Sequence, residues 1–267
     1  MAEPNILAIQ KELQELETMY SEKPSAGTSN FFITGESGSG KTVLSSSAPA
    51  PILIDSFDPR GTESIESEIQ NKRVIPDTRW EYDDPKIPNV FDSWEKNFWN
   101  RKKNGMFELL GTYVLDSSTG LLKAIMNKVL KQAGRPGSTP QQNDWLPQMT
   151  LFENVMNVVA SLPCNVIVTN HLDMKEDQVT GQLLMRPMVT GKLNVRVPLL
   201  FSEIYVLETK QTSKGVEYSL LTQSTGRYMA RTRIGRGVFE SRETPNISAL
   251  LKKAGKPFAD KEIKSAS

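Results

Sequence analysis

The chain has 267 residues, of which 38% are hydrophobic and 24% charged, and its 32 Lys and Arg stand against 31 Asp and Glu for a formal net charge of +1. This is the composition of a globular protein with a substantial core; it excludes the disordered and fibrous classes, and a nucleic-acid site, if there is one, has to be local. No run of about 18 apolar residues occurs, so no membrane span is expected, and the single Cys164 excludes an internal disulfide.

The opening Met1-Ala2-Glu3-Pro4 lacks the basic, apolar, small-residue order of a secretory signal, so the protein is expected in the cytoplasm. Ile6, Ile9, Leu13, Leu16 and Tyr20 recur at spacings of three and four ahead of the breaker stretch Lys23-Pro24-Ser25-Ala26-Gly27. The spacing predicts an amphipathic helix on a short linker, packing on its own domain or on a neighbouring subunit. Phe31-Phe32-Ile33-Thr34 reads as a buried strand running into a glycine loop, and residues 41–47 open a helix. A second strand is expected at 51–55 and a short one at Val74-Ile75. Residues 80–101, with Trp80, Trp94 and Trp99 among charges, read as an irregular or helical cover.

Thr112-Tyr113-Val114-Leu115-Asp116 is another buried strand, ending in an acid, and Leu121, Leu122, Ile125 and Val129 mark a helix face after it. Residues 134–140 break that helix, and a further one, with Phe152, Val155, Met156, Val159 and Leu162, feeds a strand at 165–170. Cys164 lies in the apolar stretch 162–168 and reads as a buried, inert thiol. Strands alternating with helices predict an α/β fold with a mainly parallel sheet covered on both faces. After residue 170 the pattern changes: 173–198 is polar with little periodicity, 204–208, 218–222 and 227–231 read as shorter antiparallel strands, and 252–267 reads as a loose tail.

The chemistry is carried first by Gly35-Glu36-Ser37-Gly38-Ser39-Gly40-Lys41-Thr42, a P-loop between an apolar strand and a helix. In that context backbone N–H groups and the positive helix end hold phosphate oxygens, and Gly38 and Gly40 permit the close approach. Lys41 is expected to reach the β and γ phosphates of ATP, and the Thr42 hydroxyl to bind Mg²⁺. P-loop catalysis also needs an acid at the end of a neighbouring buried strand, and Asp116 in Leu115-Asp116-Ser117-Ser118 fits as a metal-site acid, a helix cap, or both.

At this point the chain resembles the RecA-like recombination ATPases, including the RadA proteins and the short phage-encoded members of the Sak single-strand-annealing type. The resemblance spans roughly residues 28–240 and rests on landmarks in the family's order: the P-loop, the strand ending Leu115-Asp116-Ser117, the strand ending Val168-Thr169-Asn170-His171, and Arg231-Thr232-Arg233-Ile234. It implies a RecA-like core with a C-terminal antiparallel extension, an N-terminal helical arm over residues 1–27 and a C-terminal helix and tail over 241–267. His171 would replace the family's γ-phosphate-sensing glutamine, since imidazole can donate a hydrogen bond as an amide does. The catalytic glutamate's place falls on Phe57 in Ile54-Asp55-Ser56-Phe57-Asp58, which makes the adjacent Asp58 the candidate base. Arg231 and Arg233 would act on a neighbour's γ-phosphate, and otherwise form a solvated strand edge.

The family's DNA-contacting loops would fall at 131–149, with Arg135 and Trp145, and at 173–198, with Lys175, Arg186, Lys192 and Arg196. The function so implied is ATP-dependent binding of single-stranded DNA by a homo-oligomeric ring or filament in phage-type annealing or strand exchange. A single-strand-binding protein is a further expected partner, and a bacterial host's cytoplasm the expected setting. A hexameric helicase or packaging motor is the alternative, and a small-molecule kinase fits less well because no arginine-rich lid is visible.

Overall fold

The computed structural model describes residues 6–21, 27–176, 181–235 and 237–262. In chain order the elements are α1 (Ile6–Ser21), β1 (Asn30–Gly35), α2 (Lys41–Ser46), β2 (Ile52–Ser56), α3 (Glu66–Gln70), β3 (Val74–Asp77), α4 (Val90–Lys103), α5 (Met106–Leu109), β4 (Thr112–Asp116), α6 (Ser118–Gln132), α7 (Trp145–Ala160), β5 (Asn165–Glu176), β6 (Leu183–Pro187), α8 (Leu193–Arg196), β7 (Glu203–Thr212), β8 (Gly215–Leu221), β9 (Arg242–Glu243) and α9 (Ile247–Lys253). The strands form one sheet in the order β3-β2-β4-β5-β1-β7-β8-β9, with β6 added to the far end of β5. All pairings from β3 to β7 are parallel, and β8, β9 and β6 pair antiparallel. The expected α/β class and its antiparallel extension are both present.

The central strands are apolar on both faces because both faces are covered. Alternate residues of a strand point to opposite sides, so Phe31 and Ile33 join Ile52, Ile54, Val114, Ile167 and Tyr205 on one face, beneath Leu44 of α2 and Ile247, Leu250 and Leu251 of α9. Phe32, Leu53, Tyr113, Leu115, Val166 and Val168 form the other face, packed on Trp94 and Phe98 of α4, Leu121 and Ile125 of α6, and Phe152 and Met156 of α7. The tryptophan-rich cover of 80–101 is thus largely the helix α4, with Trp94 fully buried.

Several expectations are corrected. Residues 252–262 are not a loose tail: Asp260 accepts from the Ala50 N–H and pairs with Arg73, and the Lys261 N–H donates to Ala50 O. With α9 inside the core, residues 241–262 belong to the same packed body as 28–240, and 263–267 lie outside the described residues. Residues 173–198 contain a β-hairpin arm and the short helix α8 in place of a featureless loop, because β5 runs on to Glu176 and pairs with β6. The strand expected at 227–231 is reduced to two isolated bridges, Met185 to Tyr228 and Ile204 to Arg231. Helix α1 forms, but its Ile6, Ile9, Leu13 and Leu16 are all exposed, so the face does not pack on its own domain; the Tyr20 side chain lies outside what is described.

Candidate nucleotide site

The P-loop leaves β1 at Gly35 and enters α2 at Lys41. Gly38 and Gly40 have φ of +74° and +92°, left-handed values that glycine adopts without a Cβ penalty. Gly35 is fixed by crowding instead, since a Cβ there would stand 2.5 Å from Ser39 Oγ. The Lys41 ammonium is folded back on the loop, donating to Gly35 O at 3.0 Å and Glu36 O at 2.8 Å. Burial lowers its pKa, against the raising pull of Asp116 and Asp58.

Strand order decides what faces the loop. β5 lies between β1 and β4, so the end of β4 reaches the loop from one strand away. There Asp116 is buried, and the Thr42 hydroxyl donates to its Oδ2 at 2.6 Å while the Thr169 hydroxyl donates to its Oδ1. Burial pushes the Asp116 carboxyl upward, and the two hydroxyl hydrogen bonds oppose the shift. A threonine hydroxyl and one carboxylate are hard oxygen donors, the few-ligand set that suits Mg²⁺ completing its shell with water and phosphate. The helix-cap reading belongs to the next residue: Ser117 Oγ accepts from Gly120 N at 3.2 Å.

The same Ser117 hydroxyl donates to Asp58 Oδ1 at 3.0 Å, which fixes Asp58 beside the acid. His171 closes the group: its Nε2 is 4.0 Å from Asp58 Oδ2 and its backbone N–H donates to Thr119 Oγ1. Burial, then the charge of Lys41, lowers the His171 pKa, while Asp58 and Asp116 oppose that shift. The structure therefore brings Lys41, Thr42, Asp58, Asp116 and His171 together from four separate elements or loops.

Residues 28–234, most of the chain, match the protein family described as an AAA domain. The chain belongs to this family. It is a P-loop ATPase, and it uses ATP. A comparison with curated proteins gives no match. Solved structures with a similar fold include a KaiC-like protein from Pyrococcus horikoshii, at 11% identity over 78% of this chain and 87% of that one with a TM-score of 0.42. Another is the flagellar accessory protein FlaH from Methanocaldococcus jannaschii, at 12% identity over 83% and 88% with a TM-score of 0.41.

Other acids near the AAA domain's second strand are otherwise engaged. Asp55, fully buried, accepts from Trp94 Nε1 and the Tyr113 hydroxyl, both at 2.7 Å, and from Arg101 at 2.8 Å, so it is held in the core rather than aimed at the loop. Glu81, which the sequence did not single out, accepts from the Ser56 hydroxyl at 2.8 Å and the Arg60 N–H at 3.0 Å, bracing the turn that carries Asp58. No local spacing marks Glu81, because its partners are more than twenty residues away.

Arg231 and Arg233 stand apart from this AAA domain's own P-loop. Arg231 bridges Ile204 and donates to Phe201 O, and Arg233 donates to Leu199 O and, through its N–H, to Glu203. In the parallel register Ile204 is level with Phe32, whereas the loop begins at Gly35, roughly 10 Å along the strand. Both side chains thus reach the same segment, Leu199 to Phe201, with Arg233 the more exposed of the two.

The segments expected to meet DNA converge. Trp145 opens α7 rather than lying in a loop, and the α7 residues Gln148 and Glu153 bond Thr190 and Arg196. Arg135 is tied to Asp144 and Arg196 to Glu153, both at 2.8 Å, and Lys175 is 4.0 Å from Asp173. Arg186 sits on β6 opposite Asp173, and Lys192 is exposed ahead of α8. Among the described residues no helix is long and apolar enough to cross a membrane.

Proposed function

We propose that this ATPase binds single-stranded DNA in an ATP-dependent manner, as a homo-oligomer of the annealing or strand-exchange type with ATP held between subunits. The observation that carries this reading is the continuity of β5. One strand has Thr169 on the metal-site acid, His171 beside Asp58, and then Asp173 and Lys175 on the hairpin arm with Arg186. A change at the γ-phosphate felt by His171 would reach the arm through a single rigid element, without a loop to absorb it. The arm and the first turns of α7, with half-buried Trp145, supply cations and an aromatic ring, the pairing that suits unstacked bases.

In this reading Mg²⁺, held by Thr42 and Asp116, supplies charge neutralisation on the phosphates. Lys41 binds the β and γ phosphates, Asp58 orients the attacking water, and neutral His171 donates to the γ-phosphate. Arg231 and Arg233, lying away from their own loop, serve a neighbour's site. The exposed apolar face of α1 supports a docking role between subunits. The test is ATP turnover with and without single-stranded DNA, for the wild type and for Lys175→Ala/Arg186→Ala. DNA stimulates the wild type and not the arm variant; equal turnover with and without DNA in the wild type rejects the DNA reading.

A further inference from the structure

Asp58 lies in a turn that leaves β2 at Ser56 and closes where Gly61 N donates to Asp58 O at 2.9 Å. The turn is tied to the end of β4: Phe57 N donates to Asp116 O at 2.6 Å, and the Ser117 hydroxyl donates to Asp58 Oδ1. Helix α6 presses on it as well, since a Cβ on Gly120 would stand 2.7 Å from Phe57 Cβ and 3.0 Å from Asp58 Oδ1. The remaining anchor is Glu81, whose Oε1 accepts from Ser56 and Oε2 from Arg60 N, so one carboxylate grips the chain both before and after Asp58. Arg60 has a φ of +60°, a left-handed conformation that a residue with a Cβ seldom adopts without support. Its exposed guanidinium pairs with Glu63, so the support comes from the bond between its N–H and Glu81. Glu81 is itself fixed from outside the site. Trp80 is buried in the core that holds Trp94 and Phe98, and Asp83 accepts from Asn89 N and Val90 N at the start of α4 and from Asn127 Nδ2 of α6.

We propose that Glu81 is a positioning residue for ATP hydrolysis: it acts through Asp58, holding that carboxylate beside Asp116 by the hydrogen bonds its two oxygens accept rather than by its charge. The inference rests on Asp58 orienting the attacking water. Displacing a reacting group by about 1 Å can cost on the order of a hundredfold in rate. Without Glu81 the turn keeps its ties to Asp116 and Ser117 but loses its hold on Ser56 and Arg60, the residues that flank Asp58. Glutamine can keep both contacts, its carbonyl accepting from Arg60 N and its amide donating to a Ser56 hydroxyl turned the other way. Alanine keeps neither.

The test measures steady-state ATP turnover and equilibrium ATP binding by the full chain with Mg²⁺. Glu81→Ala lowers kcat by about tenfold to a hundredfold and leaves ATP affinity within about twofold of the wild type, while Glu81→Gln stays within about threefold of the wild type in both. Added to Asp58→Asn, Glu81→Ala costs little more, because the base it would misplace is already gone. Should Glu81→Ala fail to fold, Ser56→Ala cuts the same contact and carries the same expectation of a lower kcat at unchanged ATP affinity. Wild-type turnover in the variant that folds, or a loss that appears in ATP affinity instead of kcat, overturns the proposal. So does a Glu81→Gln as slow as Glu81→Ala, which would show that the charge acts and not the bonds. Asp58→Asn measured alone separates the two levels: wild-type turnover there rejects the base reading and this inference with it, whereas a slow Asp58→Asn beside a fast Glu81→Ala rejects this inference alone.

Discussion

His171 Nε2 lies 4.0 Å from Asp58 Oδ2, too far for a hydrogen bond and close enough for either charge to be felt by the other. With burial and Lys41 lowering the His171 pKa, the imidazole is neutral at pH 7, and the two groups present a donor and an acceptor to one region. Asp58→Asn should therefore lower turnover by about a hundredfold or more while ATP still binds. His171→Ala added to it should cost much less than it does alone, because the groups act as a unit. Steady-state kinetics on the two single variants and the double variant measure this; full additivity would separate the two residues.

The lowered His171 pKa has a sign that can be checked. A histidine that is harder to protonate when folded leaves the unfolded chain binding more protons below about pH 6.5, so the contribution is intact above that value and is lost as the pH falls through it. Because the chain has one histidine, a single imidazole resonance reports the titration by NMR. Its midpoint should lie below 6.5, that of an ordinary histidine, and His171→Gln should be less acid-sensitive in urea unfolding.

Arg101 neutralises Asp55 and also pairs with Asp77, itself bound by Arg79. Removing the guanidinium leaves a fully buried carboxylate with only Trp94 and Tyr113 as donors. Arg101→Leu should destabilise the fold by about 3–5 kcal/mol, read from urea unfolding, whereas a surface pair such as Arg60 with Glu63 should contribute at most about 1 kcal/mol.

Cys164 is buried, and that burial raises its thiol pKa to about 12. Thiolate is the reactive form, so a thiol reagent at pH 8 should leave the folded protein unlabelled and label it fully in denaturant. Fast labelling under native conditions would contradict the packing around β5.

The strands that carry the site could be read from the chain because parallel strands covered on both faces are unbroken apolar runs: the strand expected at 112–116 matches β4 to the residue. The P-loop was legible for the same local reason. The β5–β6 arm was not. Its outer residues, from Met174 to Glu176, are exposed on both sides, so no alternation of apolar and polar marks them as strand. The Asp55 network was equally hidden, since residues 55, 77, 94, 101 and 113 meet only once the sheet and α4 have assembled. Residues 227–231 carried strand-forming composition but found a partner only at single points.

If Arg233 completes a neighbour's site, mixing Arg233→Ala with Lys41→Ala should restore part of the activity that each lacks alone, since mixed contacts pair an intact loop with an intact arginine. Verified subunit exchange without recovery would assign both arginines to the sheet's own edge.

The separation of Gly35 from Arg231 and Arg233 along the sheet has a consequence for any assembly that uses both. Joining one end of the sheet to the opposite end of the next copy is a heterologous contact, which closes into a ring or propagates as a helix. In an open helix one terminal subunit keeps a loop that no arginine reaches, and the other offers arginines to no loop. Its two tips would then differ in chemistry: nucleotide persists at one and is consumed everywhere else, so growth and loss of subunits acquire a direction.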